Sequence, residues 1–495
     1  VVHVGDALGV PGDLGHVRGD ALQRLLQLRV VGHNLVDEVK ARQQVGKARG
    51  VKQHLHVAEG GMLLHGAHAG EPALPLVCLL GPGGVKVQLH IGDQTVDDVD
   101  LVLYDVQLLL GEDAVEFPED GYHGDDIKEL AQAFYEQHGD GYVNCDEQKR
   151  HADMARFGLD TNIPKMKSDL LRYGIRFDEW FFESSLYDSG AVPEAMDFLT
   201  ERGFTYEKDG ALWLKTAEIM RENLRREGKT DEQIDKLDLK DDVLRRANGF
   251  YTYFASDIAY HRNKLAERSF DKAINVWGAD HHGHVARLKG ALDALDLDGE
   301  HRLDIVLMQL VKLVRDGEAV RMSKRTGKTI SLADLLDEIP VDACRWFFNT
   351  KPDTQMEFDL GLAVREDSEN PVYYVQYAHA RICSLLKTLA GEGFTAPAAE
   401  KVDVALAVSE QERALLKELS RFPEEIRAAA RDYDPSYINR YLMSLAGTFH
   451  RFYNACRIKG EAAEVIAVRL KLAEATKQVL ANGLGILGVS APEKM

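Results

Sequence analysis

The sequence predicts an α/β domain over residues 114–369, followed by an all-α bundle over residues 370–495. In the first segment, apolar runs such as Ala273–Trp277 and Leu303–Val314 alternate with amphipathic helical patterns, the order typical of α/β folds. In the second, one helical pattern follows another with short connections, which favours a helical bundle. A chain of this length can also bury more than one core.

Composition limits the classes of function that the chain can have. The net charge is −20, which argues against binding of nucleic acid through bulk charge, although residues 370–495 alone carry +2. The five cysteines form no C-x-x-C pair, so neither a zinc site nor a disulfide framework is indicated. No apolar run approaches the length of a membrane span, and the first residues lack a signal-peptide pattern. We expect a cytoplasmic monomer that does not contact membranes and holds no protein-ligated metal. If the protein binds a polyanion, we expect the bundle to be the part that binds it.

Residues 1–113 differ in composition from the rest of the chain and receive no domain assignment. They contain no Ser, Phe or Trp, but 19 Val and 8 of the 18 His. Folded cores use Ile as well as Val, and turns and helix caps commonly recruit Ser. We interpret the segment as the translation of a reading frame, or of a DNA strand, that is not the natural one of the gene. The alternative is an unusual domain rich in Val, Leu and Gly.

Four helices are predicted in the bundle from signals at their ends. Each carries a stripe of apolar residues, and the first three begin at a capping residue or a proline. They run from Asn370-Pro371 to Gly391, from the capping box Ser409-x-x-Glu412, from Asp434-Pro435, and from about Glu461 to Asn482, where Gly483 is expected to end the last one.

A basic segment follows a predicted β-hairpin in the α/β domain. Asp316-Gly317 is a typical hairpin turn between two apolar runs, and the segment after it is Arg321-Met322-Ser323-Lys324-Arg325-Thr326-Gly327-Lys328. A flexible loop of this kind can bring an ammonium group onto phosphate oxygens. The alternative is a solvated basic turn. The acidic surroundings, with a net charge of −17 over residues 114–369, favour phosphate binding.

A segment rich in glycine and histidine lies between the strand Ala273–Trp277 and the next helix. Its sequence is Gly278-Ala279-Asp280-His281-His282-Gly283-His284. In parallel sheets, ligands bind beyond the carboxyl ends of the strands. Glycine permits close approach of the backbone, aspartate can accept from ribose hydroxyls, and histidine can donate to ligand oxygens. The alternative is a metal site formed by the three histidines and the aspartate.

A third candidate is the carboxylate of Asp257. It follows Tyr251-Thr252-Tyr253-Phe254-Ala255, which indicates a strand that passes into a helix at Ser256 or Asp257. Ser and Asp are common N-caps, so capping alone explains this pattern. A carboxylate at the end of a strand is also suited to hold a guanidinium or ammonium group.

Together these segments resemble the class I aminoacyl-tRNA synthetases, and specifically the bacterial arginyl-tRNA synthetases. Met322-Ser323-Lys324 is similar to the KMSKS loop of that class, with Arg321 in place of its first Lys and Arg325 in place of its final Ser. Five further segments match the family in chain order: Pro118–Asp125, Ser256–His261, Trp277–Gly283, Asn370–Arg381 and Leu487–Met495. The resemblance covers about residues 114–495.

The resemblance implies a Rossmann-like nucleotide-binding domain with an inserted connective module over about 150–248, followed by an anticodon-binding bundle. The implied reaction converts ATP and L-arginine to arginyl-adenylate and pyrophosphate, and then transfers arginine to the terminal ribose of tRNA(Arg). The expected partners are therefore ATP, L-arginine and the tRNA. Mg²⁺ is expected to accompany ATP, carried by the phosphates rather than by a protein cage.

The resemblance also implies roles for individual residues. Lys324, with Met322 and Ser323, is expected to be catalytic and to neutralise charge on the pyrophosphate. The residues expected to bind ATP are Gly278, Asp280, His281, His284 and Lys324, and those expected to bind arginine are Tyr253, Asp257 and His281. Aromatic and Arg side chains stack on splayed bases, and the candidates for the anticodon stem-loop are Tyr374, Tyr377, His379, Arg381, Tyr453, Asn454 and Arg457.

The sequence departs from the family at two features that the family carries a few dozen residues before the segment around Tyr122. These are the HIGH motif and an arginine-binding segment with Glu and Asn, and neither is present. His90-Ile91-Gly92-Asp93 has three of the four letters, but only 31 residues separate His90 from Gly121, too few for the intervening elements. The HIGH motif and the Lys324 loop stabilise the same phosphates from opposite sides. The chain as written is therefore expected to bind tRNA weakly and to fail to activate arginine. The alternative function is a non-catalytic tRNA-binding protein derived from such an enzyme.

Overall fold

The computed structural model describes residues 125–315, 317–320, 330–351 and 354–495, together with Val106 and the backbone of two strands at 76–81 and 84–91. These residues belong to two compact units, one within 46–341 and 353–360 and the other within 342–352 and 361–495. The predicted boundary at residue 370 stays a prediction.

The strands that the structure describes in the first unit form three sheets. In chain order they are β1 (Leu76–Gly81), β2 (Gly84–Ile91), β3 (Glu179–Phe182), β4 (Thr205–Lys208), β5 (Ala211–Leu214), β6 (Asp242–Arg245), β7 (Lys272–Gly278), β8 (Leu303–Met308), β9 (Val311–Arg315), β10 (Glu318–Ala319) and β11 (Met356–Asp359). The largest sheet has the order β3-β2-β1-β7-β8, in which β7 and β8 are parallel. Strands β4, β5 and β6 form an antiparallel sheet within the predicted insertion, and β10, β9 and β11 form the third sheet.

The helices of this unit alternate with its strands. They are α1 (Asp125–His138), α2 (Glu147–Arg172), α3 (Ser184–Asp188), α4 (Ala191–Glu201), α5 (Thr216–Arg226), α6 (Asp231–Ile234), α7 (Tyr253–Arg262), α8 (His282–Ala294), α9 (Gly299–Arg302) and α10 (Leu332–Glu338). A π-helical turn over Asn263–Glu267 continues α7, and a 3₁₀ turn over Ala279–His281 precedes α8.

Two of the predicted strand patterns can be compared directly with this unit. The strand Ala273–Trp277 is confirmed as β7. The run Leu303–Val314 divides into β8 and β9, which belong to different sheets. The hairpin is confirmed, because Glu318 pairs antiparallel with Arg315 and Gly317 has a φ of +82°, which glycine adopts without steric cost.

The core beneath the candidate site is formed by α7, α8 and β7. Ile258, Leu288 and Leu292 are fully buried, and Trp277 is 6% exposed. Burial of such side chains contributes roughly 1.5–3 kcal/mol each to the free energy of unfolding. The three elements therefore form a packed support for the polar groups near the end of β7.

The second unit is helical in its described residues. Its helices are α11 (Val341–Phe348), α12 (Leu360–Ala363), α13 (Pro371–Gly391), α14 (Glu410–Asp432), α15 (Ser436–Ala455) and α16 (Ala463–Ile486). Helix α13 begins as predicted, with the side chain of Asn370 accepting from the backbone N–H of Val372. The capping box of Ser409 and Glu412 at the start of α14 is also confirmed. The bundle prediction is therefore correct at the starts of these two helices.

The prediction that Gly483 ends the last helix is wrong. Helix α16 continues through Gly483 to Ile486. A Cβ atom at Gly483 would lie 2.6 Å from Cδ2 of Leu442, a fully buried residue of α15. The glycine is therefore needed for the close approach of α15 and α16, and not for helix termination.

We expect Gly483→Ala to lower the free energy of unfolding by about 1–3 kcal/mol, the usual effect of overpacking a core. The matched control is Gly485→Ala in the same helix, where an added Cβ would meet none of the described heavy atoms within 4 Å. This control should instead stabilise the chain by about 0.5–1 kcal/mol, because alanine has the higher helix propensity. Thermal unfolding followed by circular dichroism measures both changes, and equal effects of the two variants would contradict the assignment.

The C-terminal segment is held by α11. Arg345 is buried and donates from Nε to the carbonyl of Leu487 at 3.0 Å. Asp342 accepts from the backbone N–H of Ser490 at 3.0 Å. These bonds fix residues 487–490 against the first helix of the unit.

Among the described residues, none of the helices combines the length and the apolar character that crossing a bilayer requires.

Candidate active site

Asp257 lies in the second turn of α7 rather than at its start. The helix begins at Tyr253, and its N-cap is Thr252, whose hydroxyl donates to the carbonyl of Val243 at 2.7 Å. The prediction that Ser256 or Asp257 caps this helix is therefore wrong. The aromatic residues before Asp257 have high strand propensity, but packing of Phe254 in the core overrides it.

The carboxylate of Asp257 contacts a histidine of the neighbouring helix. Oδ2 of Asp257 lies 3.0 Å from Nε2 of His284, and the two side chains are 24% and 17% exposed. His284 belongs to the first turn of α8, just beyond the carboxyl end of β7. Its ring packs against Phe254 and Trp277, with centroids 5.1 and 5.5 Å away. The imidazole is therefore fixed in position by two aromatic side chains.

Arg287 extends this contact on the other side of the imidazole. Its Nη2 lies 3.3 Å from Nδ1 of His284. Its Nη1 donates to the carboxylate of Asp242 on β6, and its Nε donates to the carbonyl of Gly283 at 3.0 Å. Asp242, Arg287, His284 and Asp257 thus form a continuous hydrogen-bonded chain.

A second, fully buried polar group lies under Asp257. Nδ1 of His261 donates to the backbone carbonyl of Asp257 at 2.7 Å, and Nε2 accepts from the amide of Asn275 on β7 at 2.9 Å. Burial, together with the nearby ammonium of Lys264, lowers the pKa of His261 to about 3. The imidazole is therefore neutral near pH 7, which agrees with an acceptor at Nε2. It links the helix of Asp257 to the strand that leads into the glycine- and histidine-rich segment.

Lys264 contacts the same imidazole from the π-helical turn. Lys264 is 0% exposed. Its Nζ lies 3.4 Å from Nε2 of His261 and 3.5 Å from the centre of the Tyr260 ring. Burial lowers the pKa of Lys264 well below its ordinary value. Neither Lys264, His261 nor Asn275 was identified from the sequence. Single π-helical turns often occur at functional sites, but the sequence carries no pattern that marks this one.

The residues expected to bind ATP lie around the end of β7. Gly278 is the last residue of β7 and pairs with Met308 of the parallel strand β8. Asp280 and His281 form the 3₁₀ turn that follows, with the carboxylate of Asp280 3.7 Å from Nε2 of His281. The Asp280 side chain is 63% exposed, so it is accessible to a ligand. Nothing tests the assignment of these residues to ATP, which stays a prediction.

The metal alternative for this segment can also be compared with the structure. No group of three or more His, Cys, Asp or Glu side chains within the described part of the chain could hold a metal ion. In the observed arrangement, His284 contacts Asp257, and the His281 ring lies near the carboxylate of Asp280 and the ring of Trp277.

The remaining predicted residues of this site are placed in part. Tyr253 is the first residue of α7, is 55% exposed, and lies one turn before Asp257 on the same helix face. Met322, Ser323 and Lys324 lie outside the described residues.

In the bundle, one of the seven candidates for tRNA contact is not on the surface. His379 is 3% exposed, and its Nδ1 lies 2.9 Å from the carbonyl of Pro492. Burial lowers the pKa of His379, so the neutral imidazole donates to that carbonyl. His379 therefore packs against the C-terminal segment and is not a surface residue.

The other bundle candidates are at least partly exposed. Tyr377 is 39% exposed and stacks on Tyr373, with ring centroids 6.2 Å apart. The guanidinium of Arg381 lies 4.8 Å from the centre of the Tyr453 ring. Tyr374 is half-buried beside His450, whereas Asn454 and Arg457 are exposed near the end of α15. An Arg–Tyr pair and stacked tyrosines can bind unpaired bases, but no observation tests these contacts.

Comparison with known proteins gives consistent results. Residues 115–365 match the family described as tRNA synthetases class I (R), catalytic domain, and residues 375–495 match the DALR anticodon binding domain. The arginine–tRNA ligase of Acetivibrio thermocellus is 50% identical over 391 residues, which are 79% of this chain and 66% of that protein. The arginine–tRNA ligase of Desulfitobacterium hafniense (strain DCB-2) is 44% identical over 463 residues, which are 91% of this chain and 78% of that protein.

A solved structure supports the same comparison. The putative arginyl-tRNA synthetase of Campylobacter jejuni superposes with a TM-score of 0.69 at 31% identity, covering 82% of this chain and 84% of that one. The chain spans only 66% of the length of the Acetivibrio protein. The Desulfitobacterium match is longer than residues 114–495 alone, so it includes part of the segment before residue 114.

Proposed function

Because the chain belongs to the class I arginyl-tRNA synthetase family, we propose that it is an arginine–tRNA ligase, which activates L-arginine with ATP and transfers it to tRNA(Arg). The observation that carries this proposal is the carboxylate of Asp257, which is held at the carboxyl end of β7 beside the segment expected to bind ATP.

Asp257 is suited to a guanidinium ligand. A planar guanidinium donates two parallel N–H bonds to a carboxylate, which gives both strength and orientation. His284 holds Oδ2 of Asp257 at 3.0 Å, so the carboxylate has a defined orientation before the ligand arrives. Tyr253, one turn earlier on the same face, can cover the aliphatic part of the arginine side chain.

ATP is proposed to bind along the ends of β7 and β8. Gly278 permits close approach of the nucleotide, and the exposed carboxylate of Asp280 can accept from the ribose hydroxyls. His281 and Lys324 can donate to phosphate oxygens. Mg²⁺ is expected to arrive with ATP and to be bound mainly by phosphate oxygens and water.

The first chemical step is attack of the arginine carboxylate on the α-phosphorus, with pyrophosphate as the leaving group. In the second, a hydroxyl of the terminal ribose attacks the arginyl carbonyl, and AMP leaves. Both steps depend on alignment of the reactants and on stabilisation of phosphate charge more than on proton transfer. Asp257 is proposed to align the amino acid, and the ammonium group of Lys324 is proposed to stabilise the negative charge of the phosphates.

The bundle is proposed to bind the anticodon stem-loop. It matches the anticodon-binding family, and it carries +2 in a chain whose net charge is −20. Tyr377, Arg381 and Tyr453 present aromatic and guanidinium groups that stack on unpaired bases.

The proposal is tested by arginine binding and by arginine-dependent ATP–pyrophosphate exchange with tRNA present. We expect the chain to bind L-arginine, and to show little exchange because its sequence lacks the HIGH motif. A chimera, in which the corresponding N-terminal segment of the Acetivibrio relative replaces residues 1–113, should restore exchange. If the chimera binds tRNA but neither binds arginine nor catalyses exchange, the chain is instead a non-catalytic tRNA-binding protein.

A further inference from the structure

We propose that Arg287 and Asp242 are positioning residues for arginine recognition, and that they act on Asp257 through His284. This inference rests on the proposed function, because it assigns to these residues the orientation of the carboxylate that binds the substrate. The sheet of β4, β5 and β6 would then contribute to selection of the amino acid, since Asp242 lies on β6.

The contacts of His284 define which of its ring nitrogens carries the proton. A guanidinium can only donate hydrogen bonds. Because Nη2 of Arg287 lies 3.3 Å from Nδ1 of His284, this nitrogen must be the acceptor. In the neutral ring the proton is then on Nε2, which faces Oδ2 of Asp257 at 3.0 Å and donates to it. Arg287 thus supports the ring orientation in which Nε2 donates to the carboxylate.

Arg287 is itself fixed by three contacts. Its three nitrogens have three different partners: Nη2 is directed at His284, Nη1 at Asp242, and Nε at the carbonyl of Gly283. The Asp242 side chain is only 15% exposed, so its attraction for the guanidinium is weakly screened by solvent. Lysine cannot reproduce this geometry, because it presents a single ammonium group instead of a planar fork.

Loss of Arg287 would affect the bound ligand through the orientation of His284. Without Arg287, Nδ1 of His284 loses the donor that fixes the ring on the side away from Asp257, and the imidazole can turn. Nε2 would then no longer hold Oδ2 of Asp257 in the observed position, and the plane of the carboxylate would be less well defined. A guanidinium bound through two parallel hydrogen bonds is sensitive to such a change, because both bonds depend on the plane of the carboxylate. Arginine affinity should therefore fall although no group that touches arginine has changed.

The experiment uses the 495-residue chain and isothermal titration calorimetry with L-arginine. We expect Arg287→Gln to raise the Kd about tenfold, the effect of losing one charge-assisted hydrogen bond, and Asp242→Asn to raise it less. Arg287→Lys should give an intermediate Kd. The matched control is Arg221→Gln, which breaks an ion pair with Asp235 in the inserted region and should leave the Kd unchanged.

A double-mutant cycle separates positioning from a general loss of structure. In His284→Gln, an amide can still donate to Asp257 but has no second ring nitrogen through which Arg287 could fix its orientation. Asp242→Asn should therefore add nothing to the Kd in that background. Additive effects, or unchanged Kd values for Arg287→Gln and Asp242→Asn, would overturn this inference alone. Absence of arginine binding by the wild-type chain would instead contradict the proposed function together with the inference.

Discussion

Replacement of Asp257 by asparagine should raise the Kd for L-arginine about a hundredfold and should relax discrimination against citrulline. The carboxylate forms charge-assisted hydrogen bonds with a guanidinium, and an amide of the same shape cannot replace them. Citrulline has a neutral ureido group in place of the guanidinium, so it loses little when the carboxylate becomes an amide. The measurement is the pair of Kd values, for arginine and citrulline, in wild type and variant.

Asp296→Asn is a suitable control for this prediction. Asp296 pairs with Arg202 on the surface and has a φ of +60°, which asparagine tolerates. This variant should bind arginine as the wild type does. If Asp257→Asn changes neither the arginine affinity nor the rejection of citrulline, the role of Asp257 is limited to its contact with His284.

Lys324→Ala should lower the rate of arginine activation about 10²–10³-fold in the chimera that carries a HIGH motif, with little change in arginine affinity. The ammonium group is expected to act mainly on charge that develops as pyrophosphate leaves, so its loss affects the transition state more than the bound amino acid. Pyrophosphate exchange with tRNA present measures the rate, and calorimetry measures the affinity.

The control for this loop is Lys328→Ala, which removes a cation of the same segment outside Met322-Ser323-Lys324. It should reduce the rate much less than Lys324→Ala does. Equal exchange rates in the wild-type chimera and the Lys324→Ala chimera would show that this lysine does not stabilise the pyrophosphate.

Features that depend on neighbouring residues in sequence were predicted well. The N-cap at Asn370 and the capping box at Ser409 and Glu412 were identified because each involves residues two or three positions apart. The strand β7 and the hairpin at Gly317 were identified for the same reason. Local signals therefore account for the helix and strand starts that the structure confirms.

Features that depend on contacts between distant segments were missed. Helix termination at Gly483 is a wrong prediction, because the glycine is needed for a contact with Leu442 of another helix. Such a contact leaves no signal in the neighbouring sequence. The contacts of His284 with Asp257, 27 positions earlier, and with Arg287 were not predicted, while its assignment to ATP stays a prediction. The pattern around Asp257 also predicts a helix cap there, whereas the helix begins at Tyr253 after the N-cap Thr252. Phe254 in its first turn is buried, and burial is not visible in a short motif.

The bonds of the C-terminal segment also affect the order in which the protein can fold during synthesis. Arg345 and Asp342 are made well before Leu487 and Ser490, which are their partners. The two contacts join residues 142 and 148 positions apart. The entropy of closing such long loops must be overcome before these bonds stabilise the chain, so contacts of this kind slow folding. We therefore expect residues 487–490 to dock against the first helix of the unit late in folding.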